Sequence, residues 1–201
     1  MSSTNRGSKR NRDDYYLTPG WCVREFFRNW KEFETLTPNS RILDPSSGGL
    51  IENGVVIEEA TYPKILREYG LNCLNVDVRE DSCANLKQSY LDIKFPPTND
   101  LIITNPPYNL AEQFIRKALT EVKEDGLVVM LLRLNFLGSQ KRASFFSEYM
   151  PHSVYIHSKR PSFTNKGTDS TEYAHFVWQR GFRPDCYQGY VIGHIKEFEN
   201  V

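Results

Sequence analysis

The residues best suited to chemistry are Asn105-Pro106-Pro107-Tyr108, an amide ahead of two prolines and an aromatic ring behind them. Proline lacks an N–H, fixes its own φ and pushes the residue before it into an extended conformation, so the pair makes a stiff corner. Such a corner suits alkylation of a poorly nucleophilic amine. The exocyclic amine of adenine is one, because its lone pair is delocalised into the ring. Two acceptors aimed at its two N–H bonds would draw the nitrogen toward tetrahedral geometry and free that pair. The Asn105 side-chain oxygen is one candidate acceptor. The Pro106 carbonyl, held by the ring of Pro107, is the other, and Tyr108 could stack on the base. The plainer alternative is a proline turn leaving a strand.

Several elements must position that corner. Residues 101–104 are apolar with two isoleucines, which suits a buried strand. In open α/β sheets ligands sit outside the carboxyl ends of such strands. Residues 41–44 read as the first strand, followed by a turn of small residues, Pro45 to Gly49, that lets a ligand approach the backbone. Residues 71–78 read as the second strand, with Asp77 near its end. An acid there binds ribose hydroxyls in Rossmann-like sheets, or is simply a surface acid. Thr18 is a suitable N-cap and Pro19 suits the first turn of a helix carrying Trp21, Val23, Phe26, Phe27 and Trp30 on its core face. Helices are also expected over 62–69, 81–88 and 111–124, and after a loop within 138–150. Residues 55–61 carry no assignment, and 90–95 read as a strand or turn. Residues 126–134 form an unbroken apolar strand. Residues 154–157 and 172–178 pair as a hairpin around a basic loop, and 190–192 add one more strand.

Composition narrows the class. With 39% hydrophobic and 13% aromatic residues the chain is globular rather than disordered. No apolar stretch is long enough to span a membrane, and the polar N-terminus carries no secretory signal. Cys22, Cys73, Cys83 and Cys186 are scattered without paired zinc spacing, so they read as free thiols in a reducing compartment. His157 and His175 read as strand residues rather than ligands, and no metal is expected. The zero formal net charge argues against a whole surface built for nucleic acid, but not against a local basic patch. Residues 1–12 form a disordered basic tail with Arg6, Lys9, Arg10 and Arg12, available for phosphate contacts or merely solvated.

Taken in order, Tyr16-Leu17-Thr18-Pro19, Asp44-Pro45-Ser46-Ser47-Gly48, Asp77, Asp92, Asn105-Pro106-Pro107-Tyr108 and Arg160-Pro161-Ser162-Phe163 resemble the motifs of the small phage-type (Dam-like) DNA N6-adenine methyltransferases. The resemblance runs across most of residues 13–180. It implies an α/β fold of the Rossmann-like class I methyltransferase kind: a seven-stranded, mostly parallel sheet with the last strand antiparallel and helices on both faces. It implies S-adenosylmethionine as methyl donor, S-adenosylhomocysteine as product, and double-stranded DNA with the adenine flipped out. The setting would be the cytoplasm of a bacterium or phage-infected cell. Tyr16, Thr18 and Pro19, with Asp44, Pro45, Ser46 and Gly48, would then hold the methionine end of the cofactor, whose ammonium suits an acid. Asp77 and Val78 would take the ribose, and Asp92 and Ile93 the adenine. Asn105 to Tyr108 would be catalytic. Phe163 would offer its ring to the target base, with Lys159, Arg160 and Lys166 on phosphates; otherwise Phe163 is a hydrophobic plug under the loop.

The chain departs from the family in two ways. Its glycine turn continues Gly48-Gly49-Leu50 where the fuller pattern ends Gly-x-Gly, and residues 50–61 read as an insertion. Beyond the basic tail, residues 13–201 read as one methyltransferase domain without a separate target-recognition domain. Sequence readout would fall to loops at 133–142 and 159–171. Relaxed specificity, a partner subunit or RNA as substrate become open alternatives. So do methylation of a protein glutamine, which poses the same nitrogen problem, and a non-catalytic module of this fold that binds nucleic acid.

Overall fold

The computed structural model describes residues 17–138, 140–163 and 170–182, and the backbone of 193–195. In chain order the elements are α1 (Gly20–Asn29), β1 (Ile42–Asp44), β2 (Leu50–Glu52), β3 (Val55–Glu58), α2 (Thr61–Glu68), β4 (Cys73–Asp77), β5 (Leu86–Lys87), β6 (Asn99–Thr104), α3 (Ala111–Glu121), β7 (Val122–Arg133), α4 (Ala143–Glu148), β8 (Ser153–His157), β9 (Tyr173–Gln179) and β10 (Gly193–Ile195). The main sheet runs β10-β8-β9-β7-β6-β1-β4-β5. From β5 to β7 every pairing is parallel, whereas β9 lies antiparallel between β7 and β8. This is the seven-stranded, mostly parallel sheet that the motifs imply, with β10 added beside β8 as a parallel edge. The strand expected over 190–192 falls outside the described residues.

Alternation along the strands builds the layers. Leu101 and Ile103 of β6 pack with Phe26, Phe27, Ile65 and Leu66, so α1 and α2 cover one face. Ile102 between them packs with Phe114, Ile115 and Phe145, so α3 and α4 cover the other. Covering both faces is what makes a parallel strand read as a continuous apolar run.

Two sequence readings are corrected. Thr18 is not an N-cap: α1 begins after Pro19, and no side chain caps it. Residues 81–88 are not a helix. Asn75 and Asn85 exchange backbone N–H and side-chain oxygen bonds at 3.0 Å, and the Ser82 hydroxyl donates to Arg79 O at 2.7 Å. Short polar side chains that bond nearby backbone compete in this way with a helix. The chain there yields β5, and of the strand or turn expected over 90–95 the turn is present, a 3-10 turn at Tyr90–Asp92. The unassigned insertion is an antiparallel hairpin, β2–β3. Its turn is Asn53-Gly54, both with positive φ, the pairing that favours a two-residue hairpin.

One buried polar group pins the segment between β5 and β6. Glu121, at the end of α3, accepts from Tyr90 Oη at 2.7 Å, Phe95 N at 3.0 Å and Lys117 Nζ at 2.6 Å. Burial and the neighbouring Glu121 carboxylate push the Tyr90 phenol far up. Removing the carboxylate strands a cation and a buried hydroxyl. Glu121→Ala should therefore cost about 3–5 kcal/mol in urea unfolding. A cost below about 1 kcal/mol would show that water replaces the acid freely.

Candidate active site

The carboxyl ends of β1 and β6 are neighbours in the sheet, which brings Asp44 and Asn105 to one edge. The two strands are fully covered, so polar groups at their ends meet little water. Asn105 is oriented by a donated bond from its Nδ2 to Thr18 Oγ1 at 3.1 Å. That leaves Asn105 Oδ1 buried with no partner. Thr18, misread as a cap, thus serves the corner: its hydroxyl aims the amide, and its carbonyl accepts from Thr61 Oγ1 at 2.8 Å. Pro107 O accepts from Leu110 N at 2.8 Å, which ties the double proline into the start of α3.

Asp44 is fully buried, with Oδ1 accepting from Ser46 N at 3.2 Å and Oδ2 unpartnered. Burial pushes its carboxyl up to about 7 against the pull of the Thr104 hydroxyl and of that amide. Ser47 Oγ is likewise buried without a partner. Buried polar atoms of this kind call for an explanation, and Ser47 and Asn105 both face a common cleft.

Asp77 holds the glycine turn. Its Oδ2 accepts from Gly48 N at 2.8 Å and its Oδ1 from Arg79 N at 2.9 Å. Arg79 fastens the same turn from the side, donating to Gly49 O at 2.6 Å and to Asp81 at 2.8 Å. Gly49 has φ +80°, and a Cβ there would lie 2.7 Å from the Cys83 side chain, so only glycine fits.

These groups wall a cleft that is open to solvent. Of the residues named from sequence, Thr18, Ser46, Gly48, Asp77, Val78, Asn105, Pro106, Pro107 and Tyr108 face it. Asp44 and Pro45 lie buried behind the turn. Pro19, Asp92 and Ile93 are not in its wall. Tyr16, Lys166 and the tail 1–12 fall outside the described residues. Sequence reasoning missed Tyr62, Thr61, Ser47 and Arg79. Arg79, standing between two acids, was the one with a readable signal.

The aromatic side of the cleft is layered. Tyr108 stands 6.0 Å from Tyr173 and beneath the Arg133 guanidinium at 5.0 Å. Phe163 meets Tyr173 edge-on at 4.9 Å and packs on the cluster of Cys22, Leu131 and Tyr173. Tyr173 therefore touches both rings proposed for the base. Lys159 lies over the Trp21 ring at 5.1 Å, and Arg160 is paired with Glu172. His157 and His175 are strand residues as expected. The expectation that they lack ligand-type company fails, because Cys22 stands with them.

A scan against protein-family models finds no match, and a search of curated proteins finds none. Among solved structures the fold has clear counterparts. One is a candidate RNA methyltransferase from Pyrococcus horikoshii, with TM-score 0.57 and 12% identity, covering 89% of this chain and 94% of that one. Another is a modification subunit of a candidate type I restriction enzyme from Vibrio vulnificus, with TM-score 0.54 and 13% identity, covering 83% and 44%. A third is a candidate class I S-adenosylmethionine-dependent methyltransferase from Listeria monocytogenes, with TM-score 0.52 and 12% identity, covering 89% and 64%. The chain thus spans less than two thirds of the last two proteins. At these identities the likeness establishes the class I methyltransferase fold.

Asp44 gives this edge a pH signature. Its folded-state value lies above the ordinary carboxylate range, so between about pH 4 and pH 7 the folded chain keeps a proton that the unfolded chain has lost. Stability should fall as pH rises through that window, by at most about 1.4 kcal/mol per unit. Asp44→Asn lacks this loss, so its advantage over wild type in urea unfolding should grow from pH 5 to pH 7. A constant gap would mean that Asp44 is ionised throughout.

Proposed function

We propose that this chain transfers a methyl group from S-adenosylmethionine to the N6 amine of adenine in nucleic acid, with double-stranded DNA as substrate. The observation that carries the reading is the Asn105 amide: its nitrogen is held by Thr18, and its oxygen is buried, unpartnered and next to the double proline. An acceptor with no protein donor suits an incoming N–H. The stiff corner keeps that oxygen in place without reorganisation, which is how a pre-set dipole lowers a barrier.

The donor set fits the proposed cofactor. Asp77, at the end of β4 and in the cleft wall, suits the ribose hydroxyls, while the unpartnered Ser47 hydroxyl oxygen in the same wall suits an ammonium. When bound, the sulfonium supplies an electrophilic methyl carbon and takes back the electron pair of the broken S–C bond as a thioether. Asn105 and the Pro106 carbonyl hold the two amine hydrogens while nitrogen forms the new C–N bond, and the surplus proton leaves to water. Tyr108 supports the base plane from a position fixed by Arg133 and Tyr173. Neighbours named for a restriction-modification subunit and for RNA methylation support a nucleic-acid target.

The ion pair between Arg160 and Glu172 favours a second reading, because it takes one basic residue of the hairpin away from phosphates. That reading is methylation of a glutamine side chain in a protein. Labelled S-adenosylmethionine offered with duplex DNA, RNA and a glutamine peptide separates the two. N6-methyladenosine or its deoxy form is the expected product; label in peptide alone would replace the nucleic-acid reading.

Asn105 itself is testable. Asn105→Ala should bind S-adenosylmethionine normally and melt near wild type, yet lose single-turnover methyl transfer by about 100-fold or more. Asn105→Asp keeps an oxygen there and should retain much of the rate, less the cost of a charge in a partly dry pocket. Full transfer by the alanine variant would end the role of Asn105.

A further inference from the structure

Behind the cleft wall, three elements far apart in sequence bring one ligand-type atom each to a common point. Cys22 Sγ of α1 lies 3.1 Å from His157 Nε2 of β8, and that nitrogen lies 2.8 Å from His175 Nδ1 of β9. The three atoms are within 4.8 Å of one another, and all three residues are buried.

Hydrogen bonds leave the Cys22 thiol without a part in this meeting. His175 Nε2 faces Tyr62 Oη at 2.9 Å. If His175 donates to Tyr62, its Nδ1 is a lone pair and takes the single Nε2–H of His157, and the Cys22 thiol proton then has no acceptor in the cluster. If the tautomers reverse, His175 Nδ1–H takes the single lone pair of His157 Nε2, and the thiol, a weak donor, turns its proton elsewhere. A cation would instead take one pair from each of the three atoms.

The surroundings have the form of a closed metal site. Phe26 stacks on His175 at 4.1 Å, and Trp21 stands edge-on to His157 at 5.9 Å, which excludes water. Tyr62 occupies the second nitrogen of His175, the outer-partner arrangement that fixes a ligating tautomer. Two imidazoles and a thiolate select borderline-to-soft ions, with metal–nitrogen bonds of about 2.0–2.1 Å and metal–sulfur bonds of about 2.3 Å. To accommodate such an ion the two imidazoles would part by about half an ångström.

We propose that Cys22, His157 and His175 form a buried structural site for a single d10 ion, zinc(II) or copper(I), that ties α1 to the β8–β9 pair. The site uses none of the residues assigned to methyl transfer, so it stands or falls apart from that reading.

Metal analysis of the purified chain should find about one zinc or copper per molecule, and the element found identifies the ion. Because the site is closed, the chain is also unfolded and refolded with cobalt(II), which should give a thiolate-to-cobalt absorption band. Cys22→Ser should lose the band, whereas Cys73→Ser, Cys83→Ser and Cys186→Ser keep it. Tyr62→Phe should weaken cobalt affinity by about 10–100-fold. A wild-type chain that carries less than about a tenth of an equivalent and shows no band after refolding overturns the proposal. So does a band that survives in Cys22→Ser. If Cys22→Ser does not fold, the wild-type band together with its retention in the other three cysteine variants decides in favour of the site.

Discussion

The rest of the molecule is arranged around buried polar groups at the carboxyl ends of β1 and β6. Two adjacent parallel strands covered on both faces carry their side chains into a region that water scarcely reaches. Asp44, Ser47 and Asn105 all end there with an unpartnered atom. Leaving such an atom unmatched costs about 1–3 kcal/mol. The two apolar layers, anchored by residues such as Leu101, Ile102 and Phe26, must hold against that cost. The neighbouring contacts then act as restraints: Thr18 turns the Asn105 amide, Asp77 grips Gly48, and Arg79 holds Gly49. The first of these fixes an acceptor, Asn105 Oδ1, without satisfying it, and the other two fix the backbone of the turn.

Tyr62 links this edge to the second polar group of the interior. It lines the cleft and its hydroxyl meets His175, beyond which lie His157 and Cys22. Burial pushes the His157 imidazole down to about 4 and the Cys22 thiol well up. The molecule thus holds two clusters of lone pairs, one open to a cleft and one sealed by Trp21 and Phe26.

Much of this was legible where local chemistry and tertiary role coincide. The apolar run before Asn105, the small residues after Asp44 and the acid ending β4 announce themselves because strand burial and turn geometry demand those residue types. Legibility failed where a side chain served a distant partner. Thr18 looks like a cap because a threonine before a proline usually is one, yet its hydroxyl serves Asn105, 87 positions away. Residues 81–88 have helix-compatible composition, and reciprocal Asn75–Asn85 bonds override it. Cys22 and His157 are 135 positions apart, so no spacing rule could join them. The Asn53-Gly54 turn, by contrast, carried a readable hairpin signal that the uncertain sequence around it obscured.

The position of β9 has a consequence for how the chain is made. Among the described residues β8 does not pair with β7; it joins the parallel strands through β9, which pairs with seven consecutive residues of β7 and follows β8 in sequence. Until residues 173–179 have left the ribosome, β7 presents an open, apolar edge, and β8 has no strand to join. Synthesis at roughly 5–20 residues per second leaves that edge uncovered for several seconds. An unpaired edge of that kind invites strands from other nascent chains. The interval between translating β7 and translating β9 is thus a period in which that edge lacks its native cover.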